Sequence, residues 1–183
     1  PMRTGALQRS SAGGALGTGI LTINGGTVGS NGGAITNNVD VNASFNVLPS
    51  FAFSGDISLN TTATVTATRQ GDVELSGVIG GGTNGLTLNA TLASNEWGSF
   101  NITDATSNTY TGLTTVQGNA AVGLRKGLGA LAVAGDLLVE GEGVVGVLAK
   151  DQENSSDDDV DCDQKTRNGG GDSAHHGDDD DEF

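Results

Sequence analysis

The chain has 183 residues, enough for one domain, and its 31 glycines with only 2 prolines and no G-X-Y period exclude collagen. Its net charge of −14 lies mostly at one end: residues 1–150 carry 9 acidic and 6 basic side chains, residues 151–183 carry 13 and 2. A polyanionic segment disfavours nucleic acid and anionic lipid as partners, and no run of about 20 apolar residues offers a membrane-spanning helix.

Residues 1–12 are polar and read as a flexible lead-in. Pro1 before Met2 reads as the start of a fragment or a processed product, and no signal peptide is visible. Residues 13–150 alternate short apolar runs with Gly, Asn, Ser and Thr. The expected strands are Gly19–Ile23, Ala34–Ile35, Val39–Val41, Ser44–Val47, Phe51–Phe53, Ile57–Leu59, Ala63–Thr68 and Val73–Ser76. Then come Leu86–Leu88, Ser99–Ile102, Leu113–Val116, Ala121–Leu124, Leu131–Val133, Leu137–Val139 and Val144–Leu148. Triplets such as Leu21-Thr22-Ile23 and Ile57-Ser58-Leu59 bury one face and wet the other. No window repeats apolar residues at helical spacing, and frequent glycines each weaken a helix by about 1 kcal/mol. Residues 151–183 read as a disordered, acidic, low-complexity tail.

The fold expected is all-β. Asn24-Gly25, Asn31-Gly32 and Asn84-Gly85 leave hairpins open as an alternative. Scarce aromatics argue against a thick sandwich core and for a β-solenoid, a narrow column of stacked Val, Leu, Ile and Ala. With about 20–25 residues per coil, residues 13–150 hold roughly five to seven coils, above the three or so that bury a continuous core. Residues 14–28 also echo residues 126–139.

Three blocks carry a resemblance. Leu75–Gly82 with Asn84-Gly85-Leu86-Thr87-Leu88 forms one, Asn108-Thr109-Tyr110-Thr111-Gly112-Leu113-Thr114-Thr115-Val116 the second, and residues 15–28 (ALGTGILTINGGTV), loosely matched by 127–139, the third. Together they resemble the passenger-associated transport repeat of bacterial autotransporters. The chain departs from it at Leu113, where a second Gly is usual, and in an insertion-like stretch, Ala90–Ser107. The acidic tail stands where the family carries a membrane barrel. The resemblance implies a right-handed parallel β-helix, secreted or displayed at the bacterial outer membrane, that contacts the membrane only during export. It also implies a structural role, and the partners expected are a host surface, a glycan or other copies of the chain, since open solenoid ends expose unpaired strand edges that can pack end to end or side by side into a homo-oligomer or fibre. Tyr110 would cover the end of a coil or stack in the core, with Gly112 permitting the turn beside it.

Catalytic chemistry is sparse. The histidines are His175 and His176, and the single cysteine is Cys162, all in the tail. Neither a Ser-His nor a Cys-His system fits inside residues 13–150. Asp56, Asp72, Glu74, Glu96, Asp104, Asp136, Glu140 and Glu142 are scattered, with Arg69, Arg125 and Lys126 as cations. A solenoid could gather carboxylates on one face, which is the basis for a less favoured reading as a polysaccharide-active enzyme. Gly141–Gly146 spells GxGxxG without the helix a nucleotide site needs. Asp159, Asp161 and Asp163 begin like a calcium loop, but Gln164 and Gly170 stand where Gly and Glu are required. They are a weak calcium candidate, and no other cofactor is expected. Thr61, Thr62, Thr64, Thr66 and Thr68 could form a ladder that binds carbohydrate or ice. Asn42, Asn60, Asn89, Asn101 and Asn154 each open an Asn-x-Ser/Thr triplet.

Overall fold

The computed structural model describes residues 6–9, 16–30 and 33–147. Its strands, in chain order, are β1 (Ala6–Arg9), β2 (Leu21–Ile23), β3 (Thr27–Ser30), β4 (Ala34–Ile35), β5 (Val39–Val41), β6 (Phe45–Leu48), β7 (Phe51–Phe53) and β8 (Ile57–Leu59). They continue as β9 (Ala63–Ala67), β10 (Gly71–Leu75), β11 (Ile79–Gly80), β12 (Leu86–Ala90), β13 (Gly98–Ile102), β14 (Thr114–Gly118), β15 (Ala120–Leu124), β16 (Leu137–Val139) and β17 (Val144–Val147). No helix occurs among the described residues.

Every pairing between described strands is parallel. Three sheets result. The first runs β1-β3-β6-β9-β12-β14-β16, the second β4-β7-β10-β13-β15-β17, and the third β2-β5-β8-β11. The chain visits the third, first and second sheets in turn and then repeats, one coil above the last. This is a parallel β-helix of about six coils. Neither Asn24-Gly25 nor Asn84-Gly85 makes a hairpin, and Asn31-Gly32 lies outside the described residues. Asn24-Gly25 instead turns the corner from β2 to β3, where Gly25 and Gly26 take φ of 113° and 87°, values that suit glycine.

Alternation sorts the side chains, because successive residues of a strand face opposite sides. In β9, Ala63, Val65 and Ala67 are buried while Thr64 and Thr66 lie on the outer face. Register then stacks like on like. Leu21, Val39, Ile57 and Ile79 form one column. Phe45, Val65, Leu88, Val116 and Val139 form another. Phe51, Val73, Phe100, Val122 and Val145 form a third, in the second sheet. Phe53 packs edge-on against Phe51 and Phe45, with centroids 4.9 and 6.3 Å apart. The interior narrows between the first and second sheets. A Cβ on Gly98 would lie 2.7 Å from the Ala67 Cβ and 2.8 Å from the Ala90 Cβ, so the three small residues define that edge together.

Several expectations are corrected. Coil length varies more than 20–25 residues: the register steps by 18 from Val39 to Ile57 and by 28 from Leu86 to Thr114. The insertion-like stretch does hold the strand expected at Ser99–Ile102, as β13, whose Phe100 and Ile102 are buried. Leu131–Val133 is not a strand, and Leu131 is exposed. Of the echoing segments, residues 16–28 supply strands to the third and first sheets and residues 126–139 to the first alone. The third sheet ends at β11, and later coils pass that side without a strand. Within the expected lead-in, Ala6–Arg9 pairs with Thr27–Ser30.

Candidate functional site

The motif residues do their work between coils. Asn108 is buried where the third sheet stops, and its side chain replaces the missing strand. The Ile79 N–H on one side donates to its Oδ1 (2.8 Å), and its Nδ2 donates to the Ala132 carbonyl on the other (2.7 Å). Two residues on, Tyr110 is fully buried, and its hydroxyl shares a hydrogen bond with Thr114 Oγ1 (2.7 Å). Thr114 is itself an inward residue of β14, so one bond satisfies two buried hydroxyls. Gly112 lies against the Thr83 and Asn84 backbone, leaving no room for a Cβ. Of these residues, Tyr110 was legible as a packing element, whereas Gly112, expected to permit a turn, serves close approach between coils instead. The role of Asn108 was not legible, because its two partners lie 29 and 24 residues away.

A second constellation sits at the corner that follows the second sheet. Lys126 is almost wholly buried, with Nζ 3.5 Å from the Gly77 carbonyl. Burial lowers its pKa, opposed by the nearby charges of Asp104 and Asp56. Asp56 Oδ1 also accepts the Val78 N–H (3.0 Å), and Asp104 holds a φ of 84°, unusual for a residue with a side chain. The structure thus brings Asp56, Asp104 and Lys126 together out of the scattered charges. Glu74 lies apart and accepts the Thr103 hydroxyl (2.8 Å). Among the described residues no three His, Cys, Asp or Glu side chains cluster to hold a metal ion.

The outer face of the first sheet is the third feature. Register lines up Thr64, Thr87 and Thr115 in one file, and Asn46, Thr66, Asn89 and Gln117 in the next. Beside Thr64 and Thr66 a groove of about 200 Å³ is lined by Gly26, Thr27, Ser44, Phe45 and Asn46. Thr62 and Thr68 do not join this face. Thr62 Oγ1 accepts the Gly85 N–H (3.0 Å), and Thr68 Oγ1 donates to the Val47 carbonyl (3.4 Å), both at corners. A separate asparagine ladder follows the third sheet, with Asn60 Nδ2 donating to Asn42 Oδ1 (2.8 Å) and Asn42 Nδ2 to Asn24 Oδ1 (2.9 Å). The amides of Asn42 and Asn60, two of the Asn-x-Ser/Thr positions, are therefore already engaged.

The GxGxxG run lies at the corner into β17, with no helix after it among the described residues. Asp159, Asp161 and Asp163, with His175 and His176, lie outside the described residues. No family model, no curated protein and no solved structure matches the chain.

Proposed function

We propose that the chain is a structural segment of a secreted or cell-surface protein, a β-solenoid that spaces or displays other parts of the molecule. One observation carries this reading: the motif residues are consumed in the stack, Asn108 and Gly112 against neighbouring coils and Tyr110 within the core. The link to autotransporter passengers rests on the three sequence blocks, and the fold is the kind that link implies. Extracellular placement and passage through an outer membrane belong to the same proposal. The test is to label intact producing cells, and their medium, with an antibody raised against residues 13–150. Surface or medium signal is the expected result. Signal only after lysis overturns the reading.

The outer face of the first sheet favours a second reading, as a glycan-binding module. Its two polar files repeat at the strand spacing of about 4.8 Å and the i, i+2 spacing of about 6.8 Å, a lattice of hydroxyls and amides beside the groove at Thr64 and Thr66. A glycan array probed with the full chain tests it. Binding lost on Thr64→Lys and Thr66→Lys supports it, and no binding removes it.

A further inference from the structure

The two described Asn-Gly pairs are spent on corners, and the fold treats them in opposite ways. Asn-Gly is a sequence disposed to react with itself, because glycine, lacking a side chain, lets its nitrogen swing onto the asparagine side-chain carbonyl. At Asn84-Gly85 both reacting groups are committed. The Gly85 N–H, the nucleophile, donates to Thr62 Oγ1 (3.0 Å). Asn84 Nδ2, the leaving group, donates to the Leu59 carbonyl (2.7 Å). Gly85 is buried, and a Cβ on it would lie 2.7 Å from the Leu113 carbonyl oxygen, so the backbone has no room to move.

Asn24-Gly25 is the reverse. Asn24 is exposed to water, and a Cβ on Gly25 would meet only the Ser44 carbonyl oxygen, at 3.8 Å. Among the described residues no partner takes the Gly25 N–H or Asn24 Nδ2. The bond that does form falls on the atom where it assists reaction. Asn42 Nδ2 donates to Asn24 Oδ1 (2.9 Å), where negative charge develops as the carbonyl carbon is attacked. Asn42 is aimed in turn by Asn60 Nδ2, which donates to Asn42 Oδ1 (2.8 Å).

We infer that the Asn24-Gly25 corner is a self-modification site, where Asn42 assists the conversion of Asn24 to aspartate and isoaspartate. The Gly25 nitrogen bonds to Asn24 Cγ and gives its proton to solvent. The Cγ–Nδ2 bond breaks, Nδ2 takes a proton from solvent and leaves as ammonia, and a cyclic imide remains. Water then opens the imide at either carbonyl, giving aspartate or its β-linked isomer with no change in oxidation state. Each event adds a negative charge. The β-linked product also lengthens the corner between β2 and β3 by a backbone atom. That corner borders the groove lined by Gly26, Thr27 and Ser44, so ageing of the chain alters the outer face of the first sheet.

The experiment incubates the full chain in mildly alkaline buffer. Peptide mapping with tandem mass spectrometry then reads aspartate and isoaspartate separately at Asn24 and Asn84. In the folded chain Asn24 should convert about tenfold faster, the scale set by the two hydrogen bonds that must first break at Asn84-Gly85. In urea the two rates should converge. Asn42→Ala should slow Asn24 about threefold, less than the loss of a donor in a water-excluded site, and leave Asn84 unchanged. Circular dichroism checks that the variant folds. Should it not, Asn42→Asp, which keeps the acceptor for Asn60 and loses the donor to Asn24, replaces it with the same expected slowing. Equal rates at Asn24 and Asn84 in the folded chain overturn the inference. So does a difference that persists in urea, which would belong to the sequence alone, or an unchanged rate at Asn24 in the folded Asn42 variant.

Discussion

Tyr110 is the chain's single tyrosine, and its phenol is sealed in the core against Thr114. Burial pushes its pKa above the ordinary 10.0, and the smaller effect of the Thr114 bond pulls it back. The unfolded chain therefore loses this proton first. Stability falls as pH rises through 10 and stops falling only above the folded-state value. Lys126 acts the other way. Its folded-state pKa lies below 10.5, so the unfolded chain holds more protons between the two values and stability rises across that window. Urea midpoints taken from about pH 8 to 11 in Lys126→Met isolate the tyrosine. The expected result is a loss of stability above about pH 10 that disappears in Lys126→Met with Tyr110→Phe. Phenolate absorbance should appear only as the chain unfolds. Asn108→Ala strands the buried Ile79 N–H and the half-buried Ala132 carbonyl. At about 1–3 kcal/mol for the buried group and about 1 kcal/mol for the carbonyl that water can reach, it should cost about 2–4 kcal/mol in urea unfolding. No local pattern around Asn108 announces this, because the groups it joins belong to the coils on either side.

The element here is the coil, and its corners are more demanding than its strands. After the second sheet, Gly55 sits over the Asn37 carbonyl and Gly77 over the Gly55 carbonyl, each where a Cβ would go. Neither glycine has a positive φ, so the requirement is close approach between coils. The atoms in the way are backbone and cannot rotate aside. Gly77→Ala should therefore cost more than about 2 kcal/mol, at the severe end for one methyl group. Gly146→Ala, where nothing lies within 4 Å of the added atom, should change stability by about 0.5 kcal/mol or less. Thermal or urea melts of the two variants compare them directly. The strands themselves were largely legible, and β4, β5, β7, β8 and β16 have the bounds their alternation predicts. Thr27–Ser30 and Ile79–Gly80 were missed because each carries a single large apolar residue, too little for a periodic signal. Leu131–Val133 misled for the opposite reason. It is apolar, but with the third sheet ended there is no strand beside it to join, and the Ala132 carbonyl pairs with Asn108 instead.

For the solenoid of residues 16–147, stability is close to one-dimensional: each coil contacts its neighbours, and the whole is a sum of coils and the interfaces between them. The fold class was legible because composition, alternation and glycine-rich corners all point to the same narrow core. Register was not, since loops of varying length enter at the corners and shift the step without disturbing the strands. Where the step is regular, the coil should behave as a removable unit. Val39 follows Leu21 by 18 residues, Ile57 follows Val39 by 18, and the asparagine ladder keeps the same step through Asn24, Asn42 and Asn60. Deleting residues 42–59 joins Val41 to Asn60. Asn60 then sits over Asn24, Val39 meets Ile79, and β3 meets β9 with inward residues still inward. This variant should remain folded and cooperative, with a lower urea midpoint and a smaller m-value, because less surface is exposed on unfolding. Deleting residues 42–50, half a step, moves every later strand to the wrong sheet and should abolish the cooperative transition. The pair separates a stack of equivalent coils from a core that depends on the order of the whole chain: if both deletions unfold, the coil is not the unit of this fold.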